Sequence, residues 1–278
     1  MWDEGFYTTR DGRRFAALLF RDDLAWELSA HFSPNRFPAN AEEAAGACDV
    51  EWISVHRHLL LAQQLSVQWL DTPECEAQLA FINRGLPSPP RPPESAPVRV
   101  LLNSVALEAH LMAGLIHAKT LLDVLAGPFL AARCGCSPGG FHKKGGEAGG
   151  AFLRWLEQSA PRGLDAAPKL AELVRQHKKL WIDDTIRKRD DVVHRAVIPS
   201  FTHFRFVLED DARAAPYTKR EIYPACIDLD GEIMTIADYS KRLLERIRGF
   251  ALAYRDLVFP SDTEGLSKST AEDTAPTA

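Results

Sequence analysis

The densest chemistry in this chain lies in Asp183-Asp184-Thr185-Ile186-Arg187-Lys188-Arg189-Asp190-Asp191-Val192-Val193-His194-Arg195, a run holding four acids, four bases and a histidine. Asp190 and His194 stand four apart, which on a helix gives them a common face. The carboxylate can then hydrogen-bond the imidazole, fix its tautomer and raise its pKa. Arg189 directly precedes Asp190, and Arg187 and Asp191 are again four apart. A guanidinium that is always ionised, beside a histidine that titrates near neutrality, suits moving a proton while holding a phosphate oxygen. The same residues also fit a solvated helical face of ion pairs, each worth little.

The elements that must position this stretch are mostly helical. Leu170, Leu173, Val174, His177, Leu180 and Trp181 recur at three- and four-residue steps, and Ile186, Val193 and Val197 continue the stripe. With proline allowed in a first turn and Pro199 as a stop, this predicts one amphipathic helix over about 168–198. Val192 and Val193 tie the charges to a core. A second helix is expected over 99–132, kinked near Gly114 and Gly127-Pro128, with Lys119 and Asp123 four apart and available to face the charged stretch. His110 and His117 are seven apart and nearly aligned on it; with an acid from another helix they could hold a metal, or they are satisfied core groups. His56 and His58, two apart, point to different faces and make a poor metal pair.

Further helices are expected over 15–31, 41–70, 151–158 and 236–259, and a short one from Thr72 to Asn83. Asp11-Gly12 reads as a hairpin turn. Phe204, Phe206 and Leu208 alternate with Arg205, Val207 and Glu209 as in a strand, with residues 222–229 as its returning partner. Cys134 to Gly150 is rich in glycine but lacks the Gly-x-x-x-x-Gly-Lys-Ser/Thr order, so it is expected to be a mobile basic loop and not a P-loop. Six prolines over 85–97 predict an extended spacer, either a boundary or a loop crossing one bundle. The expected organisation is therefore mainly α: a helical bundle over 97–260 with a small β-hairpin insertion, an extra N-terminal helical region over 1–96 ending in the spacer, and a disordered tail over 261–278.

At 278 residues, with 46% hydrophobic and 26% charged residues, the chain has ample apolar mass for a core. A net charge of -5 excludes a general nucleic-acid coat, so any such contact must come from a local patch. Five scattered cysteines form no paired CxxC ligand set and suggest reduced thiols. Met1-Trp2-Asp3-Glu4 begins no secretory signal and no membrane-like span is read, so a cytoplasmic protein without membrane attachment is expected.

Arg189-Asp190-Asp191-Val192-Val193-His194 resembles the Arg-x4-6-His signature of the HEPN superfamily, with a polar residue directly after the arginine; Arg187 fits the longer spacing. The order of helix, motif helix, hairpin-like insertion and closing helix over 99–259 is similar to that of HEPN-like families of unknown role. The resemblance implies metal-independent cleavage of single-stranded RNA by the ribose 2′-hydroxyl. His194 would act as general acid or base, Arg189 would stabilise charge on the phosphate, Asp190 would orient His194, and Arg187, Lys119 and Asp123 would assist. No cofactor or metal is implied. A homodimer with the site across its two-fold axis is, as is a protein inhibitor or regulatory partner. Other members of the superfamily are non-catalytic modules that bind a nucleotide, an RNA or a protein, and that alternative stays open, as does a metal-dependent enzyme using His110 and His117. Five helical residues rotate Arg189 and His194 by about 140°, so the pair needs long side chains, a distorted helix or a partner subunit to converge.

Overall fold

The computed structural model describes residues 2–3, 6–10, 12, 14–16, 32, 37, 39–77, 80, 98–101, 105–158, 164–195, 200–207, 219–222, 226–229 and 232–260; for 191–195 and most strand residues it describes the backbone alone. The expected helix over 15–31 falls largely outside these residues, as do the proline-rich spacer and the tail over 261–278.

The described chain is mainly helical. Its helices include α1 (Glu42–Gln68), α2 (Val105–Val124), α3 (Leu130–Cys134), α4 (Gly150–Gln158), α5 (Ala167–His177), α6 (Asp183–Arg195) and α7 (Ile236–Val258). The longest contact is between α1 and α2, which run antiparallel: Glu51 meets His117 near one end and His58 meets His110 near the other. Gly114 permits this approach, because a Cβ there would press on the Leu59 side chain at 2.9 Å. The α7 helix packs on α1 and α5, α4 on α5, and α6 on α2. Residues on both sides of the spacer, such as Trp52 and Leu59 before it and Leu111, Phe152 and Phe250 after it, share one core, so α1 is part of the same packed body as the charged helix.

Two of the expected helices depart from simple α geometry. The segment 105–134 does not break at Gly127-Pro128 but passes through a π-helical turn, Leu125–Phe129. Proline lacks an N–H and its ring crowds the carbonyl four residues back, and a wider turn relieves both. The hydroxyl of Tyr254, in α7, donates to the Leu125 carbonyl at 3.0 Å. By length and composition, 105–134 could cross a membrane, but half of its most apolar window is buried inside the protein. The expected single helix over 168–198 is also interrupted, by a second π turn, Lys178–Ile182, between α5 and α6.

Among the described residues, eight strands form two antiparallel sheets. β1 (Trp2–Asp3), β2 (Phe6–Thr8) and β3 (Arg14–Ala16) make one, so Phe15 and Ala16 are strand and not the start of a helix. In the other, β5 (Ser200–Val207) pairs with β4 (Val98–Leu101), β6 (Lys219–Ile222) and β7 (Cys226–Leu229), and β7 pairs with β8 (Glu232–Thr235). Val98–Leu101 thus contributes an edge strand with Val98 opposite Phe204, where a helical start was expected from Arg99. Thr235 ends β8 and caps α7: its hydroxyl oxygen accepts from the Asp238 N–H at 3.1 Å and its O–H donates to the Asp238 carboxylate at 2.7 Å.

Candidate functional site

A cleft of about 420 Å³ opens where α6 faces the glycine-rich loop, lined by Lys143, Gly146, Glu147, Ala148, Lys178, Asp183, Ile186, Arg187 and Asp190. Four of these, Asp183, Ile186, Arg187 and Asp190, recur at the three- and four-residue steps of one α6 face. Buried Ile186 forms the floor, and the acids and Arg187 rise around it.

The opposite wall is built, where the sequence suggested a mobile loop. Lys144 and Glu147 exchange backbone hydrogen bonds of 3.1 and 3.2 Å around Gly145-Gly146, whose φ values of 65° and 81° meet the requirement of a type I′ turn. Phe141 anchors the loop in the core at 1% exposure, against Phe152. Its N–H donates to Asp123 at 2.7 Å, while Lys119 holds the other oxygen of that carboxylate at 2.5 Å. Lys119 and Asp123 therefore do not line the cleft; they fix the root of the loop that brings Lys143 to it.

Lys178 is the cleft's buried cation. Its ammonium donates to the Ala148 carbonyl at 2.5 Å and to Asp183 at 3.0 Å, and Glu147 lies 3.4 Å away. Lys178 and Asp183 are five apart, which would separate them on an α-helix, and the intervening π turn returns them to one face. Lys143 pairs with Asp190, and Arg187 with Asp184 at 2.8 Å. Asp190 also accepts from Arg189 at 2.9 Å. Burial works against ionisation of Asp190, but the hydrogen bonds from Lys143 and Arg189, together with their charges, hold its carboxyl below the usual range. It stays an anion and serves as an acceptor. Lys188 closes the far side of the helix on Asp184.

Of the residues the sequence singled out, Arg187 and Asp190 are brought together in the cleft, whereas Arg189 is not among its lining residues and meets it through Asp190. The side chain of His194 lies outside the described residues, so the expected Asp190–His194 hydrogen bond does too; the backbone places position 194 in α6, one turn beyond Asp190 and two turns beyond Arg187. Seven residues bring a helix back to nearly the same face. Arg187, not Arg189, is the arginine aligned with position 194. Sequence reasoning missed Lys143, Glu147 and Lys178; the available signal was Gly145-Gly146 flanked by Lys144 and Glu147, a two-residue turn pattern.

The histidines of α1 and α2 fall elsewhere. His110 and His117 face α1, where they meet His58 and Glu51, while His56 is buried on another face of that helix. No protein-family model, curated protein or solved structure matches this chain.

Proposed function

We propose that this chain is a HEPN-like endoribonuclease that cleaves single-stranded RNA without a metal in the cleft between α6 and the glycine-rich loop. The observation that carries the reading is the α6 register: Arg187 and Asp190 line one cleft with Lys143, and position 194 continues their face. The order of α2, the interrupted α5–α6 helix, the strands over 200–235 and α7 agrees with it. His194 takes the proton of the ribose 2′-hydroxyl as its oxygen attacks phosphorus, or returns one to the leaving 5′-oxygen; the O2′–P bond forms and the P–O5′ bond breaks. Arg187 neutralises charge developing on the phosphate oxygens, and the Asp190 anion holds the imidazole.

A second reading is favoured by the charge balance. The three cations of the lining, Lys143, Lys178 and Arg187, stand against three carboxylates, Glu147, Asp183 and Asp190, and each cation already holds an acid. RNA must displace Lys143 from Asp190 or meet a second protomer's cations. Without either, the chain is a HEPN-like module that binds a protein or nucleotide.

Labelled single-stranded RNA incubated in EDTA with wild type, His194→Ala and Arg187→Ala separates the readings. Cleavage by the wild type that falls about 10²–10⁴-fold in His194→Ala supports the nuclease. Absence of chelator-resistant cleavage in the wild type refutes it and leaves the module.

A further inference from the structure

Away from the cleft, four ligand-type side chains line up across the α1–α2 seam. Glu51 and His58 are seven apart on α1, His110 and His117 are seven apart on α2, and the antiparallel packing interleaves them in the order Glu51, His117, His58, His110. The Nδ1 atoms of His58 and His110 are 3.0 Å apart, the rings of His58 and His117 lie parallel within 7° at 5.5 Å, and His117 Nδ1 meets the Glu51 carboxylate at 2.8 Å. The row is partly open to solvent, with His117 one-third exposed.

We propose that Glu51, His58, His110 and His117 form a site for a divalent late-transition cation such as Zn²⁺ or Ni²⁺, which clips α1 to α2. Two Nδ1 atoms facing each other must share a proton, or both can offer lone pairs to a cation with their protons on Nε2. Tetrahedral Zn²⁺ with bonds of about 2.0–2.1 Å holds its nitrogens about 3.3 Å apart, a few tenths of an ångström beyond the observed separation. The carboxylate of Glu51 accepts from Nδ1 of His117, which leaves Nε2 as the basic atom; an imidazole braced in this way by a carboxylate is the usual outer support of a metal-bound histidine. Among the described residues no three ligand groups converge in the arrangement observed, so the His58–His110 pair captures the cation and the His117 ring turns to join it, with water completing the shell. Imidazole ligands select this class of cation over Mg²⁺ or Ca²⁺.

The test is calorimetric titration of the chelator-stripped full chain with Zn²⁺ and Ni²⁺. It is run in a Cys136→Ser background, because Cys134 and Cys136 are free thiols that also attract such ions. One equivalent of cation should bind and raise the melting temperature, Mg²⁺ should do neither, His58→Ala and His110→Ala should abolish both effects, and Glu51→Gln should weaken binding about tenfold. No saturable binding, or binding unchanged in His58→Ala and His110→Ala, overturns the proposal. Should those variants fail to fold, imidazole NMR of the unaltered histidines decides: resonances of His58 and His110 that move with Zn²⁺ support the site, and unmoved ones overturn it.

Discussion

Gly149→Ala, set against Gly145→Ala, tests whether the glycine-rich loop is a built wall of the cleft. Both glycines have left-handed backbone, with φ of 67° and 65°. A side chain in that region costs roughly 1–2 kcal/mol at either position. They differ in the space around them. A Cβ on Gly145 meets nothing within 4 Å, whereas one on Gly149 falls under 3.0 Å from three ring carbons of Phe141. Phe141 is 1% exposed and packed on Phe152, so its ring has no free direction to retreat, and overpacking of this kind adds about 1–3 kcal/mol. Gly149→Ala should therefore destabilise by about 2–5 kcal/mol and Gly145→Ala by about 1–2. Guanidinium unfolding with a common slope reads both values. Adding Phe141→Leu to Gly149→Ala should recover part of the excess, because the coupling is steric. Equal losses in the two glycine variants, or no rescue, would refute the anchoring role of Phe141 and with it the placement of Lys143 beside Asp190.

Three further outcomes follow from the same geometry. Lys178→Met should lower stability by about 1–2 kcal/mol in urea unfolding, since the Ala148 carbonyl and Asp183 lose their donor while the apolar stem is kept; unchanged stability counts against the cleft as described. Asp49 has a buried carboxylate oxygen without a hydrogen-bond partner among the described residues, and burial raises its pKa to about 7. The folded state then holds the proton more tightly than the unfolded one, so stability is full below the unfolded value near 3.8 and is lost as pH rises towards 7. Asp49→Asn should be neutral at pH 4 and stabilising by about 1–2 kcal/mol at pH 8, a figure discounted for partial exposure from a ceiling of about 4; a gain at both pH values would contradict the burial argument. In RNA cleavage, Arg187→Ala should cost about 10²–10³-fold and Arg189→Ala markedly less, because only Arg187 lines the cleft; the reverse order would restore Arg189 as the phosphate ligand.

Some of this was legible without coordinates because it is local. The stripe at Leu170, Val174 and Trp181 follows a helical period and all three are core, whereas Leu180, expected in the same stripe, lies in the π turn and is exposed. Lys119 and Asp123 do pair at four residues. The start of the helix expected from Arg99 proves to be strand through Leu101, because a short apolar run fits a helix start and an edge strand equally, and only β5 beside it settles the choice. The π turns were hidden for a related reason. Pro128 signals that regular bonding fails but not whether the chain bends or widens, and nothing in Lys178–Ile182 signals a turn at all.

By itself the sequence determined the apolar stripes of α1, α5 and α7 and the order of charges along α6, since backbone geometry converts spacing into faces without reference to the rest of the chain. Tertiary structure decided which face matters. Lys143 reaches Asp190 from 47 residues away, His58 reaches His110 from 52, and Arg187 rather than Arg189 opens onto the cleft. Such pairings depend on how apolar stripes dock, and polar side chains that merely ride on those stripes leave no periodic trace of the partners that docking will give them.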